Sequence, residues 1–132
     1  MKLDSNNHSV FLLTYHLVLV VKYRRRVFDD EMSDYARAMF ERIGQSHHVT
    51  LVEWNHDHDH VHVMFRAWPN TDLSAFVNAY KSASSRLIKR EFPRVRDLLW
   101  RDAFWTRSYC LLTVGGATID TVRAYIEAQG EK

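Results

Sequence analysis

The 132-residue sequence predicts one α+β domain with the ferredoxin-like split βαβ order of strand, helix, strand, strand, helix and strand, with one helix appended. Two observations predict this order. Apolar residues recur at helical spacing in long segments, and β-branched and aromatic residues fill the shorter segments between them. No internal repeat or low-complexity segment interrupts the pattern. We therefore expect an antiparallel sheet with helices on one face, plus a C-terminal helix.

Local signals set the bounds of each element. Acidic residues fill the first turn of the first helix, Thr71 or Asp72 caps the second helix, and Pro93 ends it. The predicted elements, in chain order, are a loose lead-in 1–8, strand 10–21, helix 29–46, strand 49–54, a tight turn near 55–57, the strand bearing His60 and His62, helix 72–92, a connecting segment 94–102, strand 104–114, a hinge at Gly115 and Gly116, and helix 118–129 within the C-terminal segment 117–130.

Composition restricts the class of protein. A hydrophobic fraction of 46% with only 4 glycines and 2 prolines excludes disordered and fibrous chains. The pI of about 8.8 suits a nucleic-acid partner without establishing one. Cys110 is the only cysteine, so no internal disulfide can form and a reducing cytoplasm is expected. The apolar stretch 11–21 is broken by Tyr15 and His16, so we expect a soluble protein with no membrane partner.

The most informative stretch carries histidine at every second position, from His56 to His62. In a strand, residues two apart face the same side, roughly 6.5–7 Å from each other. His60 and His62 could therefore ligate one metal ion, although histidines also crowd on solvated strands that bind nothing. His56 and His58 fall near the turn, and their role stays open. Asp59 is a candidate to orient an imidazole, and turn chemistry explains it equally well.

The last predicted helix carries Tyr125 and Gln129, four residues apart and so on one helical face. The pattern alone favours the interpretation that Tyr125 is an ordinary packing aromatic and that Gln129 is a frayed surface residue. The alternative is that Gln129 supplies a carbonyl oxygen to an ion held by His60 and His62. Tyr125 would then lie within reach of a phosphate bound to that ion.

Two basic surfaces can be interpreted either as solvated surface or as DNA-binding sites. Residues 22–26 place four cations around Tyr23 at the end of the first strand, and one face of the helix 72–92 is almost purely basic. Such surfaces are usually only solvated. They could also bind a phosphate backbone and stack a base.

At this point the sequence resembles the single-tyrosine HUH transposases of the insertion-sequence 200/605 group, over nearly its whole length. The central signature is Asp59-His60-Val61-His62. The other segments that carry the resemblance are 8–10, 15–18, 21–24, 81–86, 99–100, 104–105, 108–109 and 125–129. The chain departs from the family at His58, where such proteins usually carry proline, and in its histidine-rich approach to the signature.

The resemblance implies an RRM-like HUH endonuclease fold and a DNA transposase. Such an enzyme binds hairpins in single-stranded DNA at the ends of a mobile element. Tyr125 would attack the scissile phosphate, leaving a 5′-phosphotyrosine and a free 3′-hydroxyl, and a later attack by another 3′-hydroxyl would rejoin strands. A Mg²⁺ or Mn²⁺ ion held by His60, His62 and Gln129 would draw charge from the transition state.

Partners and DNA contacts also follow from the resemblance. The family works as a homodimer in which the tyrosine helix can serve the partner's histidine pair, with Gly115 and Gly116 as a plausible pivot. The implied phosphate contacts are Lys22, Arg24, Arg25, Lys81, Arg86 and Arg90, and the implied stacking platforms are Tyr23 and Trp105.

Three other functions compete with the transposase. The first is a domesticated relative that cuts repeated palindromes by the same chemistry. The second is a DNA-binding regulator whose catalytic residues are relics. The third is a zinc-dependent phosphodiesterase that uses the histidines and a water nucleophile, and it predicts that Tyr125→Phe has no effect.

Overall fold

The computed structural model describes residues 3–116 and 119–130. The helices are α1 (Asp30–Gln45), α2 (Leu73–Glu91) and α3 (Ile119–Gln129). The strands are β1 (Asp4–Ser5), β2 (Val10–Phe11), β3 (Leu13–Val20), β4 (Thr50–His56), β5 (His60–Ala67) and β6 (Cys110–Thr113). Short 3₁₀ helices span Lys22–Arg24, Pro93–Asp97 and Val114–Gly116.

Within the described ranges, four strands form one antiparallel sheet in the order β4, β5, β3, β6. This order places the first and third strands of the split βαβ unit at the centre, so the predicted α+β fold is confirmed. Asp29 and Asp72 cap α1 and α2, and each carboxylate accepts a backbone N–H from the first turn of its helix.

The two faces of the sheet are covered by different helices. On β5, Val61, Val63 and Phe65 are fully buried in the main core, together with the apolar residues of α1 and α2. The alternate residues of β5, among them His60 and His62, face the other side. The central strand β3 is buried on both faces, and its Val18 and Val20 pack against Ile126 of α3. The terminal helix therefore lies on the face that carries the histidines.

The structure differs from the sequence prediction near the N-terminus and at the β4–β5 turn. Within the lead-in predicted to be loose, Asp4–Ser5 pairs with Val10–Phe11 in a small hairpin. Strand β4 extends to His56, so the turn lies over 57–59 rather than 55–57. In that turn the backbone N–H of Asp57 donates to the carbonyl of His60.

The last strand is shorter than predicted, Cys110–Thr113 instead of 104–114. Its predicted first half forms only an isolated bridge between Trp105 and Val21, just after β3. Two backbone hydrogen bonds flank this bridge, from Lys22 N–H to the Phe104 carbonyl and from Thr106 N–H to the Val20 carbonyl. The carbonyls of Thr106 and Arg107 accept hydrogen bonds from Lys81 Nζ, at 2.8 and 2.9 Å. A side chain thus satisfies these backbone groups, which sequence periodicity cannot indicate.

The C-terminal region agrees with the predicted helix from its second residue onward. Residues 117 and 118 lie outside the described residues, and so does the predicted start of the helix at Thr118. Gly115 and Gly116, predicted as a hinge, form part of a short 3₁₀ helix. None of the described helices is both long and apolar enough to cross a membrane.

Candidate active site

Strand β5 brings His60 and His62 to one open cavity. Both imidazoles are half-buried because the strand alternates between the core face and the face under α3. The cavity has a volume of about 360 Å³. Its lining consists of Arg24, His60, His62, Val122, Arg123, Ile126 and Glu127.

Asp59 links two residues of this cavity. Its Oδ1 lies 2.7 Å from His60 Nδ1, and its Oδ2 accepts a hydrogen bond of 2.9 Å from Arg24 Nε. Burial alone would raise the pKa of Asp59, but the hydrogen bonds and charges of His60 and Arg24 lower it below the usual value. An ionised carboxylate can only accept, so the proton of His60 lies on Nδ1 and Nε2 keeps its lone pair. Such a partner orients a metal-binding imidazole.

His62 has a partner that the sequence analysis did not single out. Its Nε2 lies 2.9 Å from Nδ1 of His16, on the neighbouring strand β3. Burial, followed by the nearby charges of His16 and His60, lowers the pKa of His62, which favours the neutral form that ligates metals. The sequence offered one signal for this contact, since His16 is a polar residue inside an apolar strand. Predicting His62 as its partner also requires the β3–β5 register, which pairs Val18 with His62.

Tyr125 and Gln129 do not line the histidine cavity in the described chain. The Tyr125 hydroxyl lies 2.7 Å from Ser108 Oγ. Gln129 is only 3% exposed, so it is not a frayed surface residue, and its side-chain amide donates to the backbone carbonyl of Tyr125. Gln129 lines a second cavity with Lys22, Thr106, Arg107 and Ser108. The structure thus places the predicted nucleophile and third ligand apart from the two histidines.

The donors at the histidine cavity fit a divalent ion only in part. His60 has an oriented imidazole whose Nε2 has no partner among the described residues, whereas His62 Nε2 faces His16. Among the residues that the structure describes, no group of three or more His, Cys, Asp or Glu side chains is arranged to hold a metal. A bound ion would therefore take its other ligands from water, from phosphate or from residues brought in by a movement.

The basic loop at the end of β3 is built around two residues with left-handed backbone. Tyr23 and Arg24 have φ of 56° and 54°. The Tyr23 ring contacts Trp100 edge to face at 5.1 Å, and Lys22 Nζ lies 5.2 Å from its centroid. Arg25 is exposed. Of the predicted phosphate contacts in this loop, only Arg24 lies at the histidine cavity.

On α2 the predicted DNA contacts divide into exposed and structural residues. Arg86 and Arg90 are exposed. Lys81 is half-buried and holds the segment after Trp105, and burial lowers its pKa. Trp105 is 7% exposed, and its Nε1 donates to Ser84 Oγ at 2.9 Å. The ring of Trp105 thus belongs to the core in this structure, and its stacking on a base stays a prediction.

The two histidines left open by the sequence have structural contacts. His56 Nε2 lies 3.1 Å from the Asp30 carboxylate, at the start of α1. His58 Nδ1 lies 3.2 Å from the carbonyl of Phe28. The two contacts tie the β4–β5 turn to the first residue of α1 and to the segment before it, so the turn that carries Asp59 is held from two sides.

Comparison with known proteins identifies the family. Residues 9–129 match the family described as IS200-like transposases. The chain belongs to this family. It is 34% identical over 123 residues to the ISDra2 transposase TnpA of Deinococcus radiodurans, which covers 93% of this chain and 88% of the relative. It is 27% identical over 125 residues to the IS200 transposase of Salmonella typhimurium, covering 95% and 82%. As an IS200-like transposase, the chain is an enzyme that acts on DNA.

Two solved structures share the fold of this transposase. A putative transposase from Deinococcus radiodurans superposes with a TM-score of 0.87 at 33% identity and covers 96% of this chain and 97% of its own. A tyrosine transposase bound to a REP hairpin superposes with a TM-score of 0.52 at 13% identity, covering 96% and 69%. The first agrees with the whole described architecture, and the second shows the fold alone.

Proposed function

We propose that this transposase binds hairpins in single-stranded DNA at the ends of a mobile element and cleaves them with Tyr125 as nucleophile. The product is a 5′-phosphotyrosine and a free 3′-hydroxyl, and reversal with another 3′-hydroxyl rejoins strands. One observation carries the proposal: the helix bearing Tyr125 packs on the sheet face that holds His60 and His62. The proposed nucleophile and the two proposed metal ligands therefore belong to elements on the same side of one sheet.

The proposed cofactor is Mg²⁺ or Mn²⁺, held by His60 and His62. When bound, the ion would withdraw negative charge from the scissile phosphate. Asp59 supports this assignment because it fixes the tautomer and orientation of His60. The lowered pKa of His62, which favours the neutral imidazole, supports it as well.

Gln129 and Tyr125 reach a histidine pair, in this proposal, only when α3 takes another position or serves the partner subunit of a homodimer. The support is their present separation from the cavity, with Tyr125 bonded to Ser108 and Gln129 buried beside it. The segment before α3 contains Gly115 and Gly116, and a Cβ added at Gly115 would meet no atom of the described residues within 4 Å. The described part of the chain thus leaves Gly115 unpacked.

The proposed DNA contacts are the exposed or half-exposed members of the two basic surfaces, since phosphate binding needs accessible cations. They are Lys22, Tyr23, Arg24, Arg25, Arg86 and Arg90. Lys81 supports the surface indirectly through the carbonyls of Thr106 and Arg107. A hairpin partner has support from the family resemblance, and a protein of this fold has been solved with a REP hairpin.

The test is a cleavage assay on labelled single-stranded hairpin DNA from the flanks of the gene, with Mn²⁺, Mg²⁺ or EDTA. We expect a metal-dependent covalent protein–DNA adduct on a denaturing gel from the wild type and none from Tyr125→Phe. Tyr109→Phe is the matched control, because it removes a hydroxyl that contacts only Ser74, at 3.4 Å, among the described residues. It should form adduct normally.

Two outcomes would replace the proposal. Cleavage without adduct that survives in Tyr125→Phe would indicate a metal-dependent phosphodiesterase with a water nucleophile. Tight binding with no cleavage under any ion would indicate a DNA-binding regulator.

A further inference from the structure

Arg24 differs from the other cations of its loop in being fixed at the histidine cavity. Its Nε donates to Asp59 at 2.9 Å, and the same carboxylate contacts His60. Its stem is confined on the other side by the end of α3, since a Cβ added at Gly130 would lie 3.0 Å from Arg24 Cδ. A side chain held at both ends loses little further freedom when it binds a ligand.

The guanidinium still has donors to offer. Arginine carries five N–H donors, and the Asp59 contact uses the one on Nε. Among the described residues no second acceptor contacts the group, and the side chain is 39% exposed. The Nη groups form a planar fork that matches two oxygens of one phosphate.

Arg24 and Arg123, the two arginines of the cavity, are anchored to different elements. Arg123 belongs to α3 and would move with it, whereas Arg24 is tied through Asp59 to the turn that immediately precedes His60. Asp59 and Glu127 would repel a phosphate that enters the cavity. The Arg24 cation is paired with the first of these carboxylates, and it is the cation that keeps its position relative to the histidines.

We infer that Arg24 is a catalytic residue that binds the scissile phosphate itself, beside the ion, rather than a general backbone contact. The inference rests on the proposed function. In the cleavage step the bond from Tyr125 oxygen to phosphorus forms and the bond from phosphorus to the 3′ oxygen breaks. The tyrosine proton goes to solvent, and the leaving oxygen takes one up from solvent. Arg24 donates hydrogen bonds to the non-bridging oxygens and transfers no proton.

Single-turnover adduct formation at saturating DNA tests the catalytic role. Arg24→Gln should lower the rate on the order of 100-fold, the usual effect of removing one donor to a developing charge. Arg42→Gln, the same change at an exposed residue of α1 behind the sheet, should leave the rate unchanged. Arg24→Lys should recover part of the rate, because it keeps the charge and loses the fork.

A second experiment tests contact with that phosphate and does not depend on turnover. In a Tyr125→Phe background with EDTA, hairpin DNA is compared with the same DNA carrying a neutral methylphosphonate at the mapped cleavage position. With Arg24 present the substitution should weaken binding at least about fivefold, a loss of about 1 kcal/mol. In Arg24→Gln the two DNAs should bind alike, as a double-mutant cycle requires of contacting groups. Equal weakening in both proteins would overturn the inference.

A third experiment, metal binding by the free protein, tests the alternative that Arg24 acts only by holding Asp59 and His60 in place. Mn²⁺ affinity, measured by electron paramagnetic resonance, should be unchanged in Arg24→Gln. A parallel loss of affinity and rate would mean that Arg24 acts only through Asp59 and His60, and would overturn the inference while leaving the proposed function intact. Absence of adduct from the wild type would overturn both, because no scissile phosphate would then exist.

Discussion

Replacing Asp59 by asparagine tests how far this carboxylate prepares His60 for a metal. Asp59 is 6% exposed and makes hydrogen bonds of 2.7 Å to His60 and 2.9 Å to Arg24. Asparagine has nearly the same shape but only one acceptor oxygen, so one of the two donors must face an N–H group. In either orientation His60 loses its anionic partner.

The magnitude follows from these two contacts. A hydrogen bond to a charged group contributes about 1.5–3 kcal/mol, and the Arg24 contact counts for less because that side chain is 39% exposed and screened by solvent. We expect Asp59→Asn to lower the free energy of unfolding by about 1–2 kcal/mol. Mn²⁺ affinity should fall about 10–100-fold, as is usual when the partner of a ligating histidine is lost.

The assays are urea unfolding and Mn²⁺ titration followed by electron paramagnetic resonance. Asp57→Asn is the control, the same change in the same turn. Asp57 is exposed, and among the described residues its carboxylate accepts only the backbone N–H of His58, which asparagine can also accept. If Asp59→Asn bound Mn²⁺ as tightly as the wild type, the orientation of His60 would not depend on Asp59 and the reasoning would be refuted.

Three further predictions concern stability. Trp105→Phe should lower the free energy of unfolding in urea by about 1–3 kcal/mol, because it leaves the buried Ser84 hydroxyl without the Trp105 donor. DNA affinity should stay unchanged. A selective loss of DNA affinity would instead support stacking of Trp105 on a base. Gly44→Ala should destabilise by about 1–2 kcal/mol, since the new Cβ would lie 2.9 Å from the Val49 carbonyl oxygen. A gain in stability would show that the backbone at Val49 can shift to accept the Cβ. The lowered pKa of Asp59 stabilises the fold fully above the ordinary carboxyl pKa of about 4, and this contribution is lost as the pH falls through the lower folded value. Acid unfolding curves of the wild type and Asp59→Asn should therefore converge at low pH, and parallel curves would contradict the shift.

The extended elements with a clear period could be predicted well from the sequence. The alternation from His60 to Phe65 fixes which side chains face the core, because a strand has a period of two and only one register buries Val61, Val63 and Phe65. The cap at Asp72 was also predicted, since a carboxylate before an apolar periodic segment satisfies free backbone N–H groups. Asp29 was assigned to the first turn of α1, whereas the structure makes it the cap of that helix.

Positions decided by long-range contacts could not be predicted. Trp105 resembles an exposed aromatic in a basic segment, and only the packing of α2 against residues 104–107 buries it. His16 became part of the site because β3 pairs with β5, a contact over 46 residues of chain. Neither contact leaves a local period in the sequence.

The sequence by itself determined the chemical groups of the site: two imidazoles on one strand face, a carboxylate beside them, a loop arginine and a helix carrying Tyr125 and Gln129. Spacing of two or four residues within one element is enough to place such groups on a common face. Only the tertiary structure decided that Asp59 joins Arg24 to His60, and that neither Tyr125, bonded to Ser108, nor the buried Gln129 lines the histidine cavity. The rotation of a helix about its own axis is set by what each of its faces packs against, and no local spacing encodes that choice.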